Sequence, residues 1–196
     1  MTLRNHRQTH AAHQRGFTII ELTLVIGLIA VVSLILMNIF ITHGRIFRGE
    51  LSEVELQLEG ARAVENITAA ARVADQVVTS RTINGTSYTT SFNTLILAMP
   101  SIDGQGTISG SWDYIVFYLD SQDASQLRLS QEADPSSNRS SHEKLLSDSV
   151  SQLTFLYDDG TDANVQNIEL DATLTETVFD VTHSVDIHTR FHLSNQ

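Results

Sequence analysis

The chain has 196 residues, enough for one domain with a real core plus an appendage. Twelve basic and 23 acidic residues give a formal net charge of −11, which argues against a nucleic-acid backbone as the main partner. There is no cysteine, which excludes a disulfide framework, a thiolate metal site and a thiol nucleophile.

Residues 1–16 contain Arg4, Arg7 and Arg15 and no acid, while the remaining nine basic and 23 acidic residues carry a formal charge of −14. A basic head precedes an acidic body. The stretch "RGFTIIELTLVIGLIAVVSLILMNIFI", residues 15–41, comes next. From Leu22 to Ile41 its only non-apolar residues are Thr23, Gly27, Ser33 and Asn38, and about 20 such residues cross a hydrocarbon core as a helix. Glu21 stands at the entrance, where removing a carboxylate from water is costly unless it finds a partner. A secretory signal would have a shorter apolar region and a small-residue cleavage site, and none follows Met37. Arg45 and Arg48 lie beyond the span, so the flanking charges favour a cytoplasmic N-terminus only slightly.

The basic leader, Gly16, then Phe17-Thr18-Ile19-Ile20-Glu21 and the unbroken apolar run resemble, in that order, the class III signal of type IV pilins and type II secretion pseudopilins. The resemblance covers residues 15–41. It implies that prepilin peptidase, a membrane aspartyl enzyme, cuts between Gly16 and Phe17 and methylates the new amine of Phe17. Cleavage turns the Phe17 nitrogen from an uncharged amide into an amine that is cationic at neutral pH. Glu21 then lies one helical turn away, at the end where the helix dipole favours an anion. Family behaviour implies a salt bridge between Glu21 and the Phe17 amine of a neighbouring subunit. The plainer alternative is a Glu21 that snorkels to the headgroups of an ordinary anchor.

Beyond the span, Phe47, Leu51, Val54, Leu58 and Ala61 recur at helical spacings. A second stripe, Val64, Ile67, Ala71, Ala74 and Val78, lies about half a turn around from the first. This pattern predicts one helix over 17–78, about 90 Å long, whose part 47–61 packs on neighbouring subunits and whose part 64–78 packs on its own domain. Two helices broken near Gly60 are the alternative.

After residue 80 the texture turns to serine, threonine, asparagine and β-branched residues. In "RTINGTSYTTSF", Asn84-Gly85 between strand-like flanks signals a hairpin. "TLILAM", "WDYIVFYL", "SQLRLSQ", "SVSQLTFLY", "VQNIELDATL" and "VFDVTHSVDIHTRF" read as further strands, separated by turn-rich "PSIDGQG", "DPSSNRSS" and "DDGTD". "DPSSNRSS" reads as the most mobile loop. The expected fold is α+β: a long N-terminal helix, membrane-spanning in its first half, on an antiparallel β domain. The expected organisation is a leader 1–16 that is removed, a span 17–41, an amphipathic continuation 42–79 and a globular domain 80–196.

"KLLSDSVSQLTFLYDDG" and the two strands after it are similar in layout to the larger minor pilins and J-type pseudopilins. Asn38 stands where many major pilins have a helix proline, and the C-terminal disulfide of many is absent; both departures disfavour a bulk filament subunit. The resemblance thus implies a pilin-like fold and a minor pilin or pseudopilin in a type IV pilus, type II secretion or competence system. Its implied partners are prepilin peptidase, other pilin subunits and an inner-membrane assembly platform. It implies a bacterial inner-membrane protein with its C-terminal domain outside the cytoplasm, later incorporated in a filament. The alternative is an anchored exported binding domain or adhesin that never polymerises.

No HExxH, GxSxG, P-loop or paired CxxC occurs, so an enzyme is not expected. His183, His188 and His192 cluster near the end, but strand alternation puts His183 on the opposite face from the other two, against a zinc site. Asp158, Asp159, Asp162 and Asn164 offer oxygen ligands of the kind calcium takes, without EF-hand spacing. No other cofactor is expected. Trp112 and Tyr114 read as core or sheet-surface residues.

Overall fold

A computed structural model describes residues 18–159 and 164–193, and the leader together with Gly16 and Phe17 lies outside them. The first helical turn is set by Thr18, whose carbonyl accepts from the Leu22 N–H at 3.1 Å. From there a single α-helix, α1, runs Ile19–Val73 with no proline in it. By contacts the chain forms two compact units, Met1–Ile46 and Phe47–Gln196. In the first unit every described residue is exposed.

Among its described residues the second unit contains the end of α1 and ten strands: β1 (Gln76–Val77), β2 (Ser80–Ile83), β3 (Thr86–Thr89), β4 (Thr94–Ile102), β5 (Ile108–Leu119), β6 (Leu127–Glu132), β7 (His142–Ser147), β8 (Val150–Tyr157), β9 (Asn167–Val178) and β10 (Val181–His192). All pairings are antiparallel. They form a five-stranded sheet β1-β4-β5-β6-β7, a three-stranded sheet β10-β9-β8 and the two-stranded hairpin β2-β3. The α+β expectation holds, with two main sheets in place of one. The sheets meet where the Phe155 N–H donates to the Phe92 carbonyl at 2.7 Å and the Val150 N–H to the Ser125 carbonyl at 2.9 Å.

Strand alternation builds one core between them. Leu95 and Leu97 of β4, Ile115 and Phe117 of β5, and Leu129 of β6 point inward. Leu153 and Phe155 of β8, Leu170 and Leu174 of β9, and Phe191 of β10 meet them around Leu56, Ala63, Ile67, Ala70 and Ala71 of α1. The opposite face of the five-stranded sheet is covered by β2-β3, which buries Ile83 against Ile96 and Val116. That hairpin turns at Asn84-Gly85, with φ of 49° and 84°, as the sequence indicates.

Several expectations change. The helix stops at Val73, not 78: the Asp75 N–H donates to the Ala98 carbonyl at 2.9 Å, so the chain joins β4 as strand β1 and Val78 belongs to the hairpin cluster. The amphipathic continuation assigned to 42–79 is therefore helical only to residue 73. No break occurs at Gly60, which is buried in mid-helix. "VFDVTHSVDIHTRF" is divided by a turn at Phe179-Asp180 between β9 and β10.

Nor is "DPSSNRSS" a free loop. Asp113, completely buried on β5, accepts from the Asp134 N–H and the Ser101 hydroxyl at 2.8 Å each. It also accepts from the Ser137 hydroxyl and the Arg139 guanidinium at 2.7 Å each. Arg139 further donates to the Pro100 carbonyl at 2.6 Å. Burial pushes the Asp113 carboxyl up, but these donors, Arg139 foremost, outweigh it and hold the carboxyl below its ordinary range.

Candidate functional site

The site suggested by the sequence is the helix itself: its charged start, its apolar run and its outward face beyond the run. Of the three start residues, only Glu21 is described. The Glu21 N–H donates to the Thr18 hydroxyl at 3.2 Å, and the Thr18 N–H reaches back to the Glu21 carboxylate at 3.5 Å. Thr18 is the N-cap and Glu21 the third helical residue, so the pair forms a capping box. The spacing of a threonine three residues before a glutamate is visible in the sequence and is a signal the motif reading passed over. The returning bond is long, and no basic side chain pairs with Glu21 among the described residues. The carboxylate is exposed and open to a cation from outside the chain.

Past Glu21 the helix is long and apolar enough to cross a membrane: its best 18-residue window has a mean hydropathy of 2.9 and none of it is buried. Two polar interruptions are satisfied within the helix, as hydrocarbon requires. Thr23 donates to the Ile20 carbonyl at 2.9 Å and the Asn38 amide to the Leu34 carbonyl at 3.1 Å. Asn38 therefore does not interrupt the helix.

In the second unit α1 has two faces. Phe47, Leu51, Val54 and Leu58 are 66, 47, 58 and 50 % exposed. The opposite side is buried by Gly49, Ser52, Leu56, Gly60, Ala63 and Ile67, again at spacings of three and four. The sequence expectation that 64–78 packs on the domain holds for Ile67 and Ala71, and Val64 is half-buried against the same core. The buried stripe also runs on through 49–60, where Leu56 is its one large apolar residue and the rest of the contact is made by Gly49, Ser52 and Gly60. A Cβ on Gly49 would stand 2.9 Å from the His183 ring, and one on Gly60 would stand 2.2 Å from Ile187 Cδ1. Strand β10 thus lies directly on the helix backbone. The Ser52 hydroxyl bonds the Glu176 carboxylate, and Glu59 accepts from the Asp148 N–H at 2.8 Å.

The other candidates separate. Asp158 accepts from the Gln166 and Asn167 N–H groups at 3.0 Å each and from the Asn167 amide at 2.7 Å, closing the β8–β9 connection. Partial burial pushes its carboxyl up, and these donors pull it below its ordinary range. Asp162 lies outside the described residues. Asp159 and Asn164 are exposed, and among the described residues no three His, Cys, Asp or Glu side chains group as metal ligands. His183 faces the helix while His188 bonds Asp171 and His192 bonds Asn167 on the outer face, so alternation separates them. Trp112 is half-buried, and Tyr114 lies under the Arg81 guanidinium, 4.0 Å from its ring centre.

Similarity to known proteins adds nothing to this. No protein-family model matches the chain, and no curated protein matches it significantly.

Proposed function

We propose that this chain is a minor pilin or pseudopilin: a non-enzymatic structural subunit of a type IV pilus or type II secretion-like filament. In this reading prepilin peptidase cuts after Gly16 and methylates Phe17. The apolar run holds the subunit in the bacterial inner membrane with its β domain outside the cytoplasm, until an assembly platform passes it into a filament of pilin-like subunits. Glu21 pairs with the Phe17 amine of a neighbour.

The observation that supports this reading best is the outward helix face. Phe47, Leu51, Val54 and Leu58 stay exposed on a helix whose other side is sealed by β10. A permanently anchored monomer has no use for an apolar stripe held in water, whereas a helical filament buries it between subunits. Single cysteines at Leu51 and Val54 test this in the native host, since the chain has none of its own. Crosslinks from both positions to pilin-like subunits are expected. Crosslinks to none, with processed protein present in the membrane, would return the chain to the class of anchored binding domains.

A further inference from the structure

The β9–β10 hairpin turns in a way its residues do not favour. Val178 pairs with Val181, so Phe179 and Asp180 alone make the turn, with φ of 51° and 63°. Asparagine and glycine take that left-handed conformation readily, and the same chain uses Asn84-Gly85 for the β2–β3 turn. A bulky aromatic is strained there. What the strain maintains is an apolar tip: Phe179 is 50 % and Val181 56 % exposed. The guanidinium of Arg48 lies 5.3 Å from the Phe179 ring centre.

We infer that this tip is a lipid-contacting element, with Phe179 and Val181 entering the headgroup and upper acyl region of a bilayer and Arg48 meeting lipid phosphate. The inference rests on reading the first half of α1 as a membrane span. Ile41 closes the apolar run and Arg48 follows only seven residues later, so the chain itself holds the Arg48 backbone within about 25 Å of the end of the run, and the tip is packed on the Arg48 side chain. Aromatic rings favour the interface, an arginine extends its apolar stem while its head stays wet, and anionic lipids attract it. Asp180 at the apex and Glu50 on the helix oppose that attraction. The apolar pair, not net charge, therefore carries the contact. A neighbouring subunit is the competing occupant, but the tether acts on every inserted chain before any assembly.

The absence of native cysteine gives a direct test. The full chain carrying Val181→Cys and a nitroxide label is reconstituted in vesicles of phosphatidylcholine and phosphatidylglycerol. Electron spin resonance then compares collisions with oxygen, which partitions into lipid, and with a nickel chelate, which stays in water. Leu34→Cys reports the span and Gln105→Cys, in the β4–β5 turn, reports water. The oxygen-to-nickel ratio at 181 is expected several-fold above that at 105, and to fall to it when Phe179→Asn is added, a change the turn accepts. Equal ratios at 181 and 105 with a lipid-immersed 34 would overturn the inference and leave the span reading standing. A water-exposed 34 would overturn both. Shielding of 181 from both reagents would assign the tip to a protein contact, which also overturns it.

Discussion

Ile187 of β10 occupies the space that a side chain at Gly60 would need, its Cδ1 standing 2.2 Å from the position of a Cβ there. The contact explains why a glycine persists in the middle of a long helix, where alanine would be favoured by about 1 kcal/mol. Gly60→Ala alone should be neutral or destabilising, because Ile187 must move. With Ile187→Val, which deletes the obstructing methyl, the same change should stabilise by up to about 1 kcal/mol. Thermal melts of a soluble fragment, residues 45–196, measure the cycle. Equal effects in both backgrounds would mean that β10 does not set the approach.

The two helix faces predict opposite phenotypes. Leu51→Ser or Val54→Ser should leave the melting of that fragment within about 0.5 kcal/mol, since both side chains are already in water, and should reduce assembly in the host. Ile67→Ala removes a fully buried side chain and should cost about 2–5 kcal/mol. Similar destabilisation by both sets would contradict the division of faces.

Asp113 makes stability fall in acid. Its folded pKa lies below the unfolded value near 3.9, so its contribution is complete above about pH 4 and is lost as the pH drops through the lower folded value. Asp113→Ala should cost about 3 kcal/mol or more, because it leaves the Arg139 cation without its counter-ion. It should also release 134–141 to hydrogen exchange. Urea unfolding at pH 7 and pH 3 checks the first effect: the gap between wild type and Asp113→Ala should narrow at the lower pH.

Local chemistry made much of the fold legible. Asn84-Gly85 announces its turn, the strand around Phe155 alternates as it is buried, and the continuous apolar runs around Ile96 and Phe117 are buried on both faces. The helix end was not legible: Ala74 and Val78 keep the helical period, yet the bond from Asp75 to Ala98 decides for the sheet. Strand β1 was missed for a related reason, being two residues long and set by its partner β4, and β7 because His142, Glu143 and Lys144 open it with polar, exposed residues and no alternation. The Asp113 knot joins residues from 101 to 139 that no spacing rule connects. At the candidate site, the exposed apolar stripe could be read from its period. The upper part of the buried one could not be found by hydrophobicity, because around a single Leu56 the residues Gly49, Ser52 and Gly60 contribute closeness in place of apolar bulk.

Processing has its own test. Mature protein from the native host should begin at Phe17 with a methylated amine, read by mass spectrometry of the N-terminal peptide. A leader still attached in membranes with active prepilin peptidase would contradict the assignment.

Glu21→Gln tests the assembly role of the helix start most directly. Glutamine completes a capping box as glutamate does, so the bonds with Thr18 survive while the charge is removed. Membrane insertion should be at least as good as before, and cleavage after Gly16 should persist. Lost would be the counter-ion for the neighbour's Phe17 amine, a penalty of about 3–5 kcal/mol at a buried site. The measurement is the amount of processed Glu21→Gln protein in sheared filaments relative to the amount in the inner membrane. A fall of at least about tenfold from wild type is expected. Wild-type incorporation would show that the carboxylate only caps its own helix, and would contradict the salt bridge on which the proposed assembly turns.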